Sequence, residues 1–304
     1  MARWYGLGGS WISDGLPHYI ALDRKPDAGC EIHDTCCSES GLICQIELVK
    51  EPQSDEFATT DAPKKPPITN MSGINVAFCL TKLWHHTRRI VVGNLAFSSV
   101  NTCVQMDKAG LGYIGVVKNA TKYFPMAALQ RVILPRKGNF VGMTTKADGT
   151  TIASYVWCDR KRRYFVASAG SLADGEPWTR IRRRETGDGS GNRQTNDVFI
   201  SIPMPVATEM YYSAANKIDM HNKVRAECGI DHRLKTNDWA TRVNFGILGM
   251  LFTDAYLLYK GCRGVNAKLS PKLFFAQLAD CLIDISIPNS QGKLTRGQKR
   301  SRRI

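Results

Sequence analysis

Between residues 30 and 49 the chain alternates. Leu42, Cys44, Ile46 and Leu48 take turns with Ile43, Gln45 and Glu47, the period of two that marks a half-buried strand. The run 30–37 reads as its hairpin partner, and Ser38-Glu39-Ser40-Gly41 between them has turn composition, with glycine where a positive φ is easiest. The period then changes. Val76, Leu80 and Leu83 recur at helical spacing within 73–86, 88–99 is a β-rich apolar run leading into a helix near 99–109, and 112–118 is a buried strand. Short strands follow at 150–159 and 162–169, and Asp148-Gly149 before them has the signature of a tight hairpin turn.

The second half is helical. Residues 209–230 form one candidate, and 237–260 form a stronger one in which Trp239, Val243, Ile247 and Leu251 recur every four residues. Thr236 or Asn237 is expected to cap it, and Lys260-Gly261 to close it. A further helix is expected near 271–283. Alternating strands and helices after an opening hairpin predict an α/β fold, a mixed sheet covered by helices. Two stretches read as loops: the Pro-rich, polar 51–72, and the basic, Gly-rich 179–197.

Charge narrows the function. Lys plus Arg number 41 against 27 Asp plus Glu, a formal +14 with a sequence pI near 9.4, which favours a polyanionic partner, nucleic acid before membrane. The N-terminal residues carry no basic start followed by an apolar run, and the most apolar stretch, 245–252, is too short to span a bilayer. Ten cysteines without a secretory signal are therefore expected as free thiols in a reducing compartment.

Cys30, His33, Cys36, Cys37 and Cys44 crowd fifteen positions, which raises a zinc site. Adjacent cysteines on a strand point to opposite faces, and no C-x2-C pair with a second knuckle follows, so the thiols read mainly as core filling. No phosphate-binding loop and no Ser-His-Asp arrangement is recognisable. His85-His86 reads as a helix end, and Asp159 as part of a charged turn.

The block 232–261 resembles the helical segment of piggyBac-type transposases. It carries Arg233, Lys235, Thr236, Trp239 and Arg242, then Asp254-Ala255-Tyr256-Leu257-Leu258-Tyr259-Lys260. Upstream, 210–223, 91–100 and 114–125 look like the family's other elements in the same order, and the match runs over roughly residues 16–262. The resemblance implies a ribonuclease H-like mixed sheet core beginning at 16–118, an inserted β-rich subdomain with a basic loop at 119–206, and a helical C-terminal region at 207–287 that completes the core and serves packing or dimerisation. A disordered basic tail, 288–304, is suited to phosphate contacts or nuclear import. The chain reads as starting near the core, without the family's long N-terminal region or the Cys-rich zinc module that many members carry after the helical block.

That family cuts and rejoins DNA with two metal ions held by carboxylates, which suit hard Mg²⁺. Carried over by position, the hairpin carboxylate falls on Cys37, the strand-end one on Asn94, and the helical pair on Asp219 and Asn222. Only Asp219 is an acid. A thiol is a soft ligand and an asparagine offers one neutral oxygen, so no metal or other cofactor is expected. Asp34 falls on the strand face opposite Cys37, Glu39 falls in the turn, and no Asp or Glu lies between Trp84 and Val104.

The implied function is therefore a nuclear, piggyBac transposase-derived DNA-binding protein that has lost strand cleavage and transfer. DNA contacts are implied for Arg233, Lys235 and Arg242. Arg160, Lys161, Arg162 and Arg163, and Arg182, Arg183 and Arg184, beside aromatic residues, either track a DNA backbone or form solvated faces. Two alternatives stand: an active, Mg²⁺-dependent transposase using substitute ligands such as Glu39 and Asp219, and an interaction remnant that pairs with itself or with related transposases. No membrane partner is expected.

Overall fold

The computed structural model describes residues 2–3, 29–30, 32–48, 73–119, 121–187, 193–230, 238–264 and 268–286. The loop expected at 51–72, the tail at 288–304, and Arg233 and Lys235 lie outside the described residues. A two-residue pair, β1 (Ala2–Arg3) with β2 (Gly29–Cys30), precedes the hairpin β3 (Ile32–Cys36) and β4 (Ile43–Leu48). Then come α1 (Gly73–Leu80), β5 (Ile90–Gly93), α2 (Val100–Lys108), β6 (Gly112–Val116) and α3 (Met126–Arg131). Three strands follow: β7 (Phe140–Ala147), β8 (Thr150–Cys158) and β9 (Arg162–Ala167). A long ribbon of β10 (Trp178–Gly187) and β11 (Arg193–Ile202) leads into α4 (Val206–Ala215), α5 (Lys217–Cys228), α6 (Trp239–Arg263) and α7 (Pro271–Ser286).

The centre is a five-stranded mixed sheet in the order β5-β6-β9-β8-β7. β5 and β6 are parallel, so the chain needs a crossover between them, and α2 supplies it. β6 pairs antiparallel with β9, so hydrogen bonds run unbroken across the boundary expected at 118/119.

At β8, inside the sheet, both faces are covered, which is why the strand reads as the largely apolar run TTIASYVWC, whereas the edge strand β7 is mostly exposed. Successive residues go to opposite sides. Ile152 and Val156 join Tyr113, Val166, Cys103 and Met106 in one cluster under α1, α2 and α3, while Tyr155 and Trp157 join Ile114, Phe165 and Ala207 under α4. Trp157 and Tyr155 are fully buried, and their polar atoms are satisfied: Trp157 Nε1 donates to Pro203 O at 2.9 Å, and Thr208 Oγ1 donates to Tyr155 Oη at 3.2 Å. Full burial of such side chains contributes ~1.5–3 kcal/mol each.

Several expectations are corrected. The stretch 179–197, read as a loop, is largely the ribbon β10–β11, with Ile181 opposite Phe199 and Arg183 opposite Asp197. Alternation of arginine with Thr179 and Ile181 is a strand period that the high charge obscured. The helix candidate 209–230 is two helices meeting at Asn216. The cap of α6 is Asp238, whose carboxylate accepts from Ala240 N and Thr241 N at 3.1 and 3.0 Å, and the helix runs past Gly261 to Arg263. Asp148 and Gly149, with φ of 48° and 86°, make the expected tight turn between β7 and β8. Among the described residues no helix is long and apolar enough to cross a membrane.

Candidate functional site

Three elements carry the positions at issue. The first is the hairpin. Cys37 follows β3, where its N–H donates to Leu42 O and its carbonyl accepts from Gly41 N, both at 2.9 Å. Gly41 sits at φ 76°, the left-handed conformation that closes this turn.

The apolar alternation of the hairpin holds only in part. Cys44 and Ile46 are exposed, while Gln45 and Glu47 are half-buried alongside Leu42, Ile43 and Leu48. The reason lies in α1, whose last carbonyls have no partner inside the helix. Thr35 Oγ1 donates to Leu80 O at 3.1 Å and Gln45 Nε2 to Cys79 O at 3.3 Å. Polar side chains are drawn inward to end that helix, and a bulge at Thr35/Cys36 shifts the register. The thiols are not core filling either, since Cys103 is the one buried cysteine among those described.

The second element is the turn after β5. Asn94 Oδ1 accepts from Ala96 N at 2.8 Å, so its amide oxygen is turned back onto its own loop. Ser98 Oγ bonds Asn94 O at 2.6 Å and Tyr113 Oη at 2.9 Å, clamping the turn to the sheet. Gly93 makes room for this, because a Cβ there would collide with the Tyr113 phenol. Ser99 then caps α2, accepting from Thr102 N at 3.0 Å.

The third element is α5. Asp219 lies in its first turn and is exposed, where a carboxylate suits the helix dipole whatever else it does, and Asn222 is half-buried. Lys217 Nζ donates to Glu39 O at 3.4 Å, so the first turn of α5 meets the hairpin turn that follows Cys37. A ring contact between His33 and Phe97, 5.1 Å between centroids, ties β3 to the Asn94 turn. The fold thus gathers the three elements, but among the described residues no group of three or more His, Cys, Asp or Glu is arranged to hold a metal ion.

Behind these positions lies a cluster that sequence reasoning did not foresee. His221 is 2% exposed, and its Nε2 sits 3.2 Å from Asp254 Oδ1 on α6. The same carboxylate oxygen accepts from Ile43 N at 3.0 Å, so Asp254 joins α6, α5 and the hairpin. Burial lowers the His221 pKa below its ordinary 6.5 even though the Asp254 charge and hydrogen bond oppose this. A neutral ring bonded to a carboxylate carries its proton on Nε2.

Asp34, on β3, adds a second acid near His221 and Arg225. Burial raises its pKa, with His221 the largest opposing influence. The signal for Asp254 was available. A lone acid inside FGILGMLFTDAYLLY must find a partner when the helix packs.

The expected DNA contacts are scattered. Arg160, Lys161, Arg162 and Arg163 are exposed around the β8–β9 turn, with Arg162 Nη1 donating to Gln130 O at 2.8 Å. Arg182, Arg183 and Arg184 lie on the separate ribbon β10. Arg242 is 5% exposed and is corrected from a surface contact to a buried residue of α6.

Comparison with known proteins fits this architecture. A family model described as Transposase IS4, of piggyBac type, matches residues 12–256. The cryo-EM structure of the piggyBac transposase synaptic complex with hairpin DNA matches at a TM-score of 0.59 and 15% identity, over 94% of this chain and 53% of that one. None of the curated proteins matches the sequence. The fold is a mixed α/β architecture similar to piggyBac transposase and consistent with a ribonuclease H-like core. The chain belongs to the piggyBac-type Transposase IS4 family. It spans about half the length (53%) of the transposase chain it matches.

Proposed function

We propose that this chain is a transposase-derived DNA-binding protein without strand cleavage or transfer. The observation that carries the reading is the donor set: Cys37, Asn94 and Asn222 stand where carboxylates are expected, and Asp219 alone is an acid. Those residues do not fit two Mg²⁺ ions. The Cys37 thiol is soft, and the Asn94 oxygen already accepts from Ala96 N. One carboxylate leaves the repulsion between two dications nearly uncompensated. The formal +14 and the exposed Arg160, Lys161, Arg162 and Arg163 support DNA as the partner. A nuclear location follows from that role and from the basic 293–304.

The test is binding of the purified chain to duplex DNA across a salt series, with and without Mg²⁺, with nicking followed in the same samples. Salt-sensitive binding that ignores Mg²⁺, without nicking, is expected. Metal-dependent nicking that is lost in Asp219→Ala would overturn the reading in favour of an active transposase. A second reading rests on exposed Leu251 and Leu258 of α6 and exposed Leu273, Leu282 and Ile283 of α7. These are an apolar surface for pairing with another copy or a related transposase, and co-purification without DNA affinity would favour that reading.

A further inference from the structure

The hairpin holds a group of thiols that neither DNA binding nor metal chemistry uses. Both neighbours of Cys37 are tied to the main chain of the turn. Cys36 Sγ donates to Cys37 O at 3.5 Å, and Cys37 N donates to Leu42 O at 2.9 Å. Cys44 Sγ also donates to Leu42 O at 3.5 Å, which holds it over the turn. Cys44 is exposed and Cys37 half-buried, so solvent reaches both. Cys36 lies within electrostatic reach of both Cys37 and Cys44, and Cys44 within reach of Cys37.

The three are chemically unequal. The Ser40 hydroxyl, with the turn's backbone N–H groups, stabilises the Cys37 thiolate and lowers its pKa. Burial and the nearby Asp34 push Cys36 up to about 12, and burial raises Cys44 as well. A thiol that ionises readily, is accessible and lies beside a protonated second thiol has the make-up of a peroxide-sensitive site.

We propose that Cys37 and Cys44 are a reversible thiol-oxidation pair for which hydroperoxides are the oxidant. The Cys37 thiolate attacks the peroxide oxygen, the O–O bond breaks, and Cys37 becomes a sulfenic acid as hydroxide leaves. Cys44, losing its thiol proton, then attacks the Cys37 sulfur, and the hydroxyl departs as water. The product is a Cys37–Cys44 disulfide, which an external dithiol reduces back. This inference stands whether or not the chain binds DNA.

The test treats the full-length chain with a small excess of hydrogen peroxide and follows each cysteine by alkylation and peptide mass. Cys37 is expected to be consumed several-fold faster than Cys262, with a linked Cys37–Cys44 peptide lighter by two hydrogens. Cys44→Ser, an exposed change checked for fold by circular dichroism, is expected to trap Cys37 as a sulfenic acid that a dimedone probe captures. Consumption of Cys37 at the rate of Cys262 would overturn the proposal. So would a disulfide joining Cys37 to Cys36, or a Cys44→Ser protein that still forms the disulfide state.

Discussion

The central sheet and the hairpin beside it are held together by different physics. Around β6, β8 and β9, Tyr113, Tyr155, Trp157, Phe165 and Val166 are completely buried, and their few polar atoms find partners within the same layers. Around β3 and β4 no described residue except Gly41 is buried, and the contacts that dock the hairpin are polar: Thr35 and Gln45 to the end of α1, and Ile43 N to Asp254. The sheet is stabilised by area and the hairpin by a handful of directed bonds. Area tolerates many substitutions with graded cost, whereas a directed bond is lost with one atom. The elements gathering the four expected carboxylate positions thus rest on a firm platform at Asn94, and on a lightly held one at Cys37.

Truncating the sheet's centre is the largest test of that contrast. Trp157→Ala removes a fully buried indole, its bond to Pro203 O and its contact with Tyr212. Such truncations cost ~3–5 kcal/mol. Chemical denaturation is expected to show a loss of that size in one cooperative transition. A loss confined to a partial, early transition would mean the sheet is not the unit that holds the molecule.

The two regions also differ in how far they could be read from sequence. Four of the sheet's five strands and the Asp148-Gly149 turn were legible because apolar runs and turn chemistry act locally, whereas the largely exposed β7 was not. The hairpin's existence was legible too, yet its buried face was not. Gln45 and Thr35 go inward to satisfy carbonyls of α1 that lie 34 and 45 residues away in sequence, and no local period encodes that. The ribbon β10–β11 was missed because arginine at strand positions resembles a loop by composition. Arg242 was taken as a DNA contact from the resemblance, and packing of α6 encloses it. The family came from ordered motifs, which survive such errors of face. The cluster of His221, Asp254 and Asp34 did not, because it exists only once three distant segments meet.

Asp254 offers the next largest effect and bears on the hairpin and α5, away from the central sheet. Asp254→Ala leaves the Ile43 N–H without its acceptor and His221 buried without its carboxylate. Unsatisfied buried groups of this kind cost ~1–3 kcal/mol. The expected loss is smaller than for Trp157→Ala, and hydrogen exchange should place it in β3, β4 and α5. Exchange that rises equally in β8 would show that the two regions unfold together, and the contrast between them would fail.

Acid gives the smallest and most specific effect. His221 titrates below its ordinary 6.5 in the folded chain, so just under pH 6.5 the unfolded chain binds the proton and the folded chain does not. Its contribution is therefore complete above 6.5 and is lost as pH falls toward the lowered folded value. Arg225 favours the neutral ring, whereas Asp254 and Asp34 favour protonation, and burial outweighs them. Asp34 works in the other direction. Its raised pKa means that the folded chain takes up a proton first, which adds stability as pH approaches its ordinary 3.8. The expected profile is a decline in unfolding free energy beginning near 6.5 that is shallower in His221→Gln, followed by partial relief at lower pH that is absent in Asp34→Asn. Identical acid slopes for the parent and His221→Gln would mean that the buried ring gains its proton as readily folded as unfolded, with the carboxylates fully offsetting burial.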